Sequence, residues 1–144
     1  MSKIRILIIG LGRIGKIHLA NLRAMEEVEI IGICDPTDEA KVFSNKAGIR
    51  FYQKDFRDIA SEVQTDAIII CSPTDTHANY VSLAAKKGID VFCEKPLDLS
   101  LKKVKEVLKT VNESKIKLML GFNRRFDSEF QSVKEKIVKG EIGD

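Results

Sequence analysis

A glycine-rich turn between an apolar run and an amphipathic one restricts this chain more than any other feature. Residues 4–9, Ile-Arg-Ile-Leu-Ile-Ile, read as a strand because they are almost wholly apolar and rich in β-branched side chains. Gly10-Leu11-Gly12-Arg13-Ile14-Gly15 follows, and residues 15–25 then read as a helix in which Ile14, Ile17 and Leu22 are able to share one side. Glycines at this spacing, after a strand and opening a helix, form a turn suited to the phosphates of a dinucleotide. Gly10 permits the tight turn, Gly12 lets the backbone approach a pyrophosphate, and Gly15 lets helix and strand pack closely. The free N–H groups of the first helical turn, at Arg13, Ile14 and Gly15, and the positive end of the helix dipole then receive the phosphates. The bland alternative is that the glycines serve turn geometry alone.

The rest of the chain repeats the same alternation. Strands are expected over 28–34, weakly over 50–52, and over 67–71, 90–93 and 117–120. Helices are expected over 38–47, 55–63 and 76–87. Ser100 then caps a helix whose apolar residues are Leu101, Val104, Leu108 and Val111. A last helix is marked by Phe126, Phe130, Val133 and Ile137, with Gly140 past its end. The 67–71 run is apolar throughout, as suits a parallel strand covered on both faces. Strand and helix in turn imply βαβ units: an α/β fold with a doubly wound parallel sheet of about six main strands, helices on both faces, and strand order 3-2-1-4-5-6. The whole chain, 1–144, is read as one such Rossmann domain.

Asp35 sharpens the reading. It closes the second strand 20 residues beyond Gly15, where this fold expects an acidic residue on the adenine ribose. A carboxylate accepts hydrogen bonds from ribose hydroxyls and repels a 2′-phosphate. Pro36 and Thr37 follow, with no arginine to hold such a phosphate. The expected cofactor is therefore NAD. Asp35 as a turn former before Pro36 is compatible with that role.

Composition excludes several other classes. No apolar run approaches the roughly 18 residues a membrane span needs. The apolar run near the N-terminus is too short for a secretory leader, so a cytoplasmic protein is expected, with no membrane partner. The net charge is +3, and the surplus lies beyond residue 100 as lysines spaced along expected helices. A solvated helix face accounts for that better than a nucleic-acid patch. Cys34, Cys71 and Cys93 form no C-x-x-C pair and read as small buried hydrophobes; no metal site is expected.

Four motifs occur in order: Gly10-x-Gly12-x-x-Gly15-x-x-His18, Ser72-Pro73-Thr74-Asp75-Thr76-His77, Glu94-Lys95-Pro96, and Gly121-Phe122-Asn123-Arg124-Arg125-Phe126-Asp127. Together they resemble the Gfo/Idh/MocA oxidoreductase family along the whole chain, and the last motif is most similar to its inositol 2-dehydrogenase branch. The resemblance implies that Ser72 and Thr74 lie along the cofactor, although Thr74, Asp75 or Thr76 is equally suited to cap a helix. His77 is as readily a packed histidine as a cofactor contact, and His18 reads as a structural hydrogen-bonding residue. The resemblance also implies that Glu94 and Lys95 border the nicotinamide, with Lys95 aimed at the substrate hydroxyl and Pro96 on a cis bond. Without the resemblance, Lys95 reads as a solvated loop lysine. Oxidising an alcohol removes a hydride and a proton, so its hydroxyl needs a partner that stabilises developing negative charge. Asn123 is implied near the nicotinamide and the substrate. Arg124 and Arg125 suit either a polyol or an ion pair with Asp127.

Members of the family carry a second domain with a catalytic histidine, most substrate contacts and the usual oligomer interface. The histidines here, His18 and His77, do not match that base. The expectation is thus the cofactor half of an enzyme oxidising a secondary alcohol of a cyclic polyol or sugar, a piece that binds NAD and turns over little alone. Its domain-facing surface, if apolar, invites self-association. The alternatives are a dinucleotide-binding sensor or regulatory module without chemistry, disfavoured by Lys95, and another two-domain dehydrogenase acting on amino acids or tetrapyrroles, disfavoured by the 123–127 run.

Overall fold

A computed structural model describes residues 2–59 and 63–142. Six strands, β1 (Ile4–Ile9), β2 (Val28–Cys34), β3 (Phe51–Gln53), β4 (Ala67–Ile70), β5 (Asp90–Cys93) and β6 (Leu118–Leu120), form one sheet in the order β3-β2-β1-β4-β5-β6. Every pairing is parallel. The helices are α1 (Arg13–Arg23), α2 (Asp38–Lys46), α3 (Phe56–Ile59), α4 (Thr74–Lys86), α5 (Leu101–Ser114) and α6 (Ser128–Val138), with a short 3-10 helix at Asn123–Phe126. The doubly wound parallel sheet is therefore as the sequence implies. The end of the helix expected over 55–63 lies in part outside the described residues.

Strand alternation sorts the core into two layers. Ile6 and Ile8 of β1 pack with Leu19 of α1 and Ala40 of α2 on one face. Leu7 and Ile9 pack on the other with Phe56, Val81, Ala84, Val107 and Val111, so α3, α4 and α5 cover that face. Phe92 of β5 belongs to the α1 face, while Val91 and Cys93 belong to the opposite one.

Two helices turn differently from expectation. On α1, Gly15 and Leu19 are buried while Ile17 is exposed. On α5, Val107 and Val111 are buried, Val104 is half-buried, and Leu101 and Leu108 are exposed. The last helix has no buried residue: Phe130, Val133 and Ile137 are all at least half exposed, and Phe126, expected in the same helix, ends the 3-10 turn before it and is exposed. No helix among the described residues is long and apolar enough to cross a membrane.

Candidate functional site

The first crossover places α1 with its N-terminus at the end of β1. Gly10 has φ +87°, and its N–H donates to the Cys34 carbonyl at 2.7 Å, which folds the turn back over β2. A Cβ on Gly10 would sit 2.6 Å from the backbone nitrogen of Ser72. A Cβ on Gly15 would collide with the Gly10 carbonyl oxygen. Gly12 is the N-cap, offers no side-chain cap, and would carry a Cβ into open space. The first turn of α1 contains no acidic residue. The N–H groups at Arg13, Ile14 and Gly15 precede the first intrahelical bond, which Lys16 donates to the Gly12 carbonyl at 3.0 Å. An uncapped helix start with open space above it fits an anionic phosphate.

Asp35 sits at the neighbouring strand end, only 8% exposed. Its Oδ2 accepts the Leu11 N–H at 2.7 Å; its Oδ1 accepts the Thr37 N–H at 2.9 Å and the Thr37 hydroxyl at 2.5 Å. A carboxylate offers about four acceptor positions, so one is left for a ligand hydroxyl. Asp35 thus fixes both the glycine turn and the start of α2, where Thr37 Oγ1 accepts the Ala40 N–H. The hydroxyl of Tyr52, the middle residue of edge strand β3, lies 2.6 Å from the Asp35 carbonyl oxygen and 2.8 Å from that of Thr37. Gly10, Gly12, Asp35 and Ser72 line one groove of about 620 Å³, within the range usual for small-molecule sites. Thr37, Lys54, Asp55 and Tyr80 also line it and were not read from the sequence. Thr37 carried a usable signal, a capping residue directly after Asp-Pro. Tyr80 arrives from α4 and carried none.

On the far side of β1, Ser72 bonds Thr76 at 2.6 Å, and the Thr76 hydroxyl donates to the Pro73 carbonyl at 2.7 Å. The helix begins at Thr74 rather than at Thr76, with Pro73 as N-cap and no side-chain cap. Neither threonine therefore caps it. Thr74 opens α4 beside Ser72 and Pro73, which line the groove. His77 is buried, and its ring nitrogens face the carbonyl oxygens of Ser72 and Pro96, each at 2.8 Å. The ring ties the loop after β4 to the loop after β5.

The loop after β5 starts with Glu94, whose N–H donates to the Ile70 carbonyl at 2.9 Å. Its Oε1 accepts from His18 Nε2 at 2.8 Å, and its Oε2 accepts the Lys95 N–H at 3.3 Å. Lys95 is exposed and the Lys95–Pro96 bond is cis. Asn123 opens the 3-10 helix after β6 and is exposed. Arg124 pairs with Asp127 at 3.0 Å and lies 4.8 Å above the Phe130 ring, which makes it an anchor for this turn. The thiols of Cys34, Cys71 and Cys93 are free and are pushed up to about 12 by burial, so they stay protonated at neutral pH.

Asp35, the glycine turn, Ser72, Lys95 and Asn123 thus follow one another along the carboxyl edge of β2, β1, β4, β5 and β6. Three strand spacings separate the ends of β2 and β5, about 14 Å at ~4.8 Å each. A row of that length is within the reach of an extended dinucleotide.

A family model described as an oxidoreductase family with an NAD-binding Rossmann fold matches residues 4–122. The chain is 37% identical over 142 residues to inositol 2-dehydrogenase of Rhizobium meliloti, covering 98% of this chain and 42% of that protein. It is 39% identical over 140 residues to myo-inositol 2-dehydrogenase of Thermotoga maritima, covering 96% of this chain and 42% of that protein. The crystal structure of scyllo-inositol dehydrogenase from Lactobacillus casei with bound NAD(H) and scyllo-inositol superposes with a TM-score of 0.87 at 30% identity, covering 99% of this chain and 43% of that one. The chain therefore spans less than half the length of these relatives. With a strand–glycine turn–helix start and a family match over most of its length, this chain belongs to the Gfo/Idh/MocA oxidoreductase family and carries its NAD-binding Rossmann fold.

Proposed function

We propose that this chain is the cofactor-binding part of an NAD-dependent dehydrogenase acting on a secondary alcohol of a cyclic polyol, an inositol or a close relative. The observation that carries the reading is the row of groups along the sheet edge, with an acidic ribose partner at one end and an exposed lysine three strands away. Gly12 and the first turn of α1 hold the pyrophosphate, Asp35 accepts from the adenine ribose, and Ser72 borders the cofactor between them. NAD, when bound, accepts the hydride. Lys95 donates a hydrogen bond to the substrate oxygen and stabilises the negative charge that develops as its proton leaves. Asn123 lines the same end.

Both histidines are already engaged, His18 with Glu94 and His77 with two carbonyl oxygens. On this reading the 144-residue chain binds cofactor and turns over little substrate by itself. A cytoplasmic protein whose partners are a small polyol and the cofactor completes the reading. The test is twofold. NADH fluorescence titration of the chain should give saturable binding that NAD competes for and NADP competes for poorly; tighter NADP binding would overturn the ribose assignment. In a protein that also supplies the remaining length of the relatives, Lys95→Ala should keep the NADH affinity and lose about a hundredfold or more in turnover with inositols. Unchanged turnover would remove Lys95 from the chemistry.

A further inference from the structure

We propose that His18 is a positioning residue that couples the phosphate-binding helix to the loop carrying Lys95. This rests on the role given to Lys95 above. Gly15 and His18 lie within the first two turns of α1, so His18 moves with the helix end that receives the pyrophosphate. Its ring reaches across the sheet edge and meets Phe92 edge-on, with centroids 5.1 Å apart and planes at 62°. Strand alternation puts Phe92 and Glu94 on the face that α1 covers. His18 Nε2 then donates to Glu94 Oε1 at 2.8 Å, between side chains 25% and 21% exposed.

Gly121 closes the opposite side. A Cβ there would stand 3.2 Å from Glu94 Cδ and Oε1 and 3.1 Å from Phe92 Cζ. The Glu94 carboxylate is therefore confined between an imidazole and a bare backbone, while its Oε2 holds the Lys95 N–H. The sequence suggested Glu94 as a direct cofactor contact. Its geometry makes it a strut as well, met by residues from three of the four motifs of the chain. A half-buried carboxylate with a charge-assisted donor at fixed distance is a strong local restraint. Without the imidazole, the Glu94–Pro96 turn loses its fixed relation to α1, and the nicotinamide end of the site loosens while the adenosine end does not.

The experiment compares NADH with ADP, which lacks the nicotinamide nucleoside, as ligands of the native chain, His18→Ala and His18→Gln. The amide nitrogen of glutamine offers a donor in place of imidazole Nε2. His18→Ala is expected to weaken NADH about five- to tenfold, the loss of one charge-assisted hydrogen bond, and to leave ADP within about twofold of native. His18→Gln is expected to recover most of the NADH affinity. Equal losses for both ligands would mean that His18 only supports the helix, and would overturn the proposal. So would unchanged NADH affinity in His18→Ala, or a His18→Gln protein as weak as His18→Ala. A native chain that binds neither ligand would instead overturn the cofactor reading itself, before any variant is compared.

Discussion

Gly12 and Gly15 stand three residues apart in one motif, yet substitution separates them. Gly15 packs against the Gly10 carbonyl with no room for a methyl group, whereas Gly12 faces open space in an extended conformation that alanine adopts freely. Gly15→Ala should cost about 2 kcal/mol or more of stability, because backbone must move to admit the side chain. Gly12→Ala should leave the urea midpoint close to native and weaken NADH binding at least tenfold, its methyl group occupying the phosphate position. A Gly12→Ala protein with native affinity would show that the pyrophosphate does not lie over this residue. The spacing of these glycines was readable from the sequence because the turn is local. The triple engagement of Asp35 was not, since the Leu11 and Thr37 N–H groups find their directions only when the turn and β2 are set side by side. The same holds for His18, whose partner lies 76 residues away.

Elements were legible in kind and order but less so in phase. A stripe of apolar residues along α5 is wide enough to admit two rotations, and Leu101 and Leu108 look as eligible for burial as Val107. The sheet decides: the part of α5 that meets α4 and β5 presents Val104, Val107 and Val111, and Leu101 at the first turn overhangs the layer. One tie between elements bears on acid stability. Arg5 of β1 grips Asp66, just before β4, through its backbone N–H at 2.8 Å, Nε at 3.0 Å and Nη2 at 2.7 Å. The Arg5 hydrogen bonds hold the Asp66 carboxyl down to about 2, below the ordinary carboxylate value. Folding therefore favours the ionised form. That contribution is complete above about pH 4 and is lost as pH falls toward 2. Because Asp66 is 43% exposed, solvent screening limits it to about 1 kcal/mol or less. Asp55, lowered mainly by its Arg57 hydrogen bond, titrates in the same direction. Urea midpoints measured from pH 6 to pH 2 should show Asp66→Asn less stable than native at pH 6 and converging with it near pH 2. Parallel curves at all pH values would mean that the pair contributes nothing to stability.

At the scale of the molecule, the two apolar layers that flank the sheet are built by α1 to α5, and α6 contributes to neither. It starts firmly, with Asp127 Oδ1 accepting the N–H groups of Glu129 and Phe130, but its apolar residues find no cover among the described residues. Helix propensity and periodicity record an apolar face without recording what meets it, which is why the sequence marks α6 as readily as it marks α5. Burial on the remaining sheet is what stabilises the fold, so removal of α6 should be nearly free. A chain ending at Asp127 should melt within about 2 °C of the full chain, because a helix that buries nothing adds little beyond its own marginal propensity. The bare face should act instead on association. Sedimentation velocity at about 100 μM is expected to show self-association of the full chain and a monomer for the shortened one, since exposed apolar stripes of this kind promote contact between copies. A large fall in melting temperature on shortening would place α6 within the cooperative core. Identical sedimentation of the two chains would mean that the stripe formed by Phe130, Val133 and Ile137 does not drive contacts between copies.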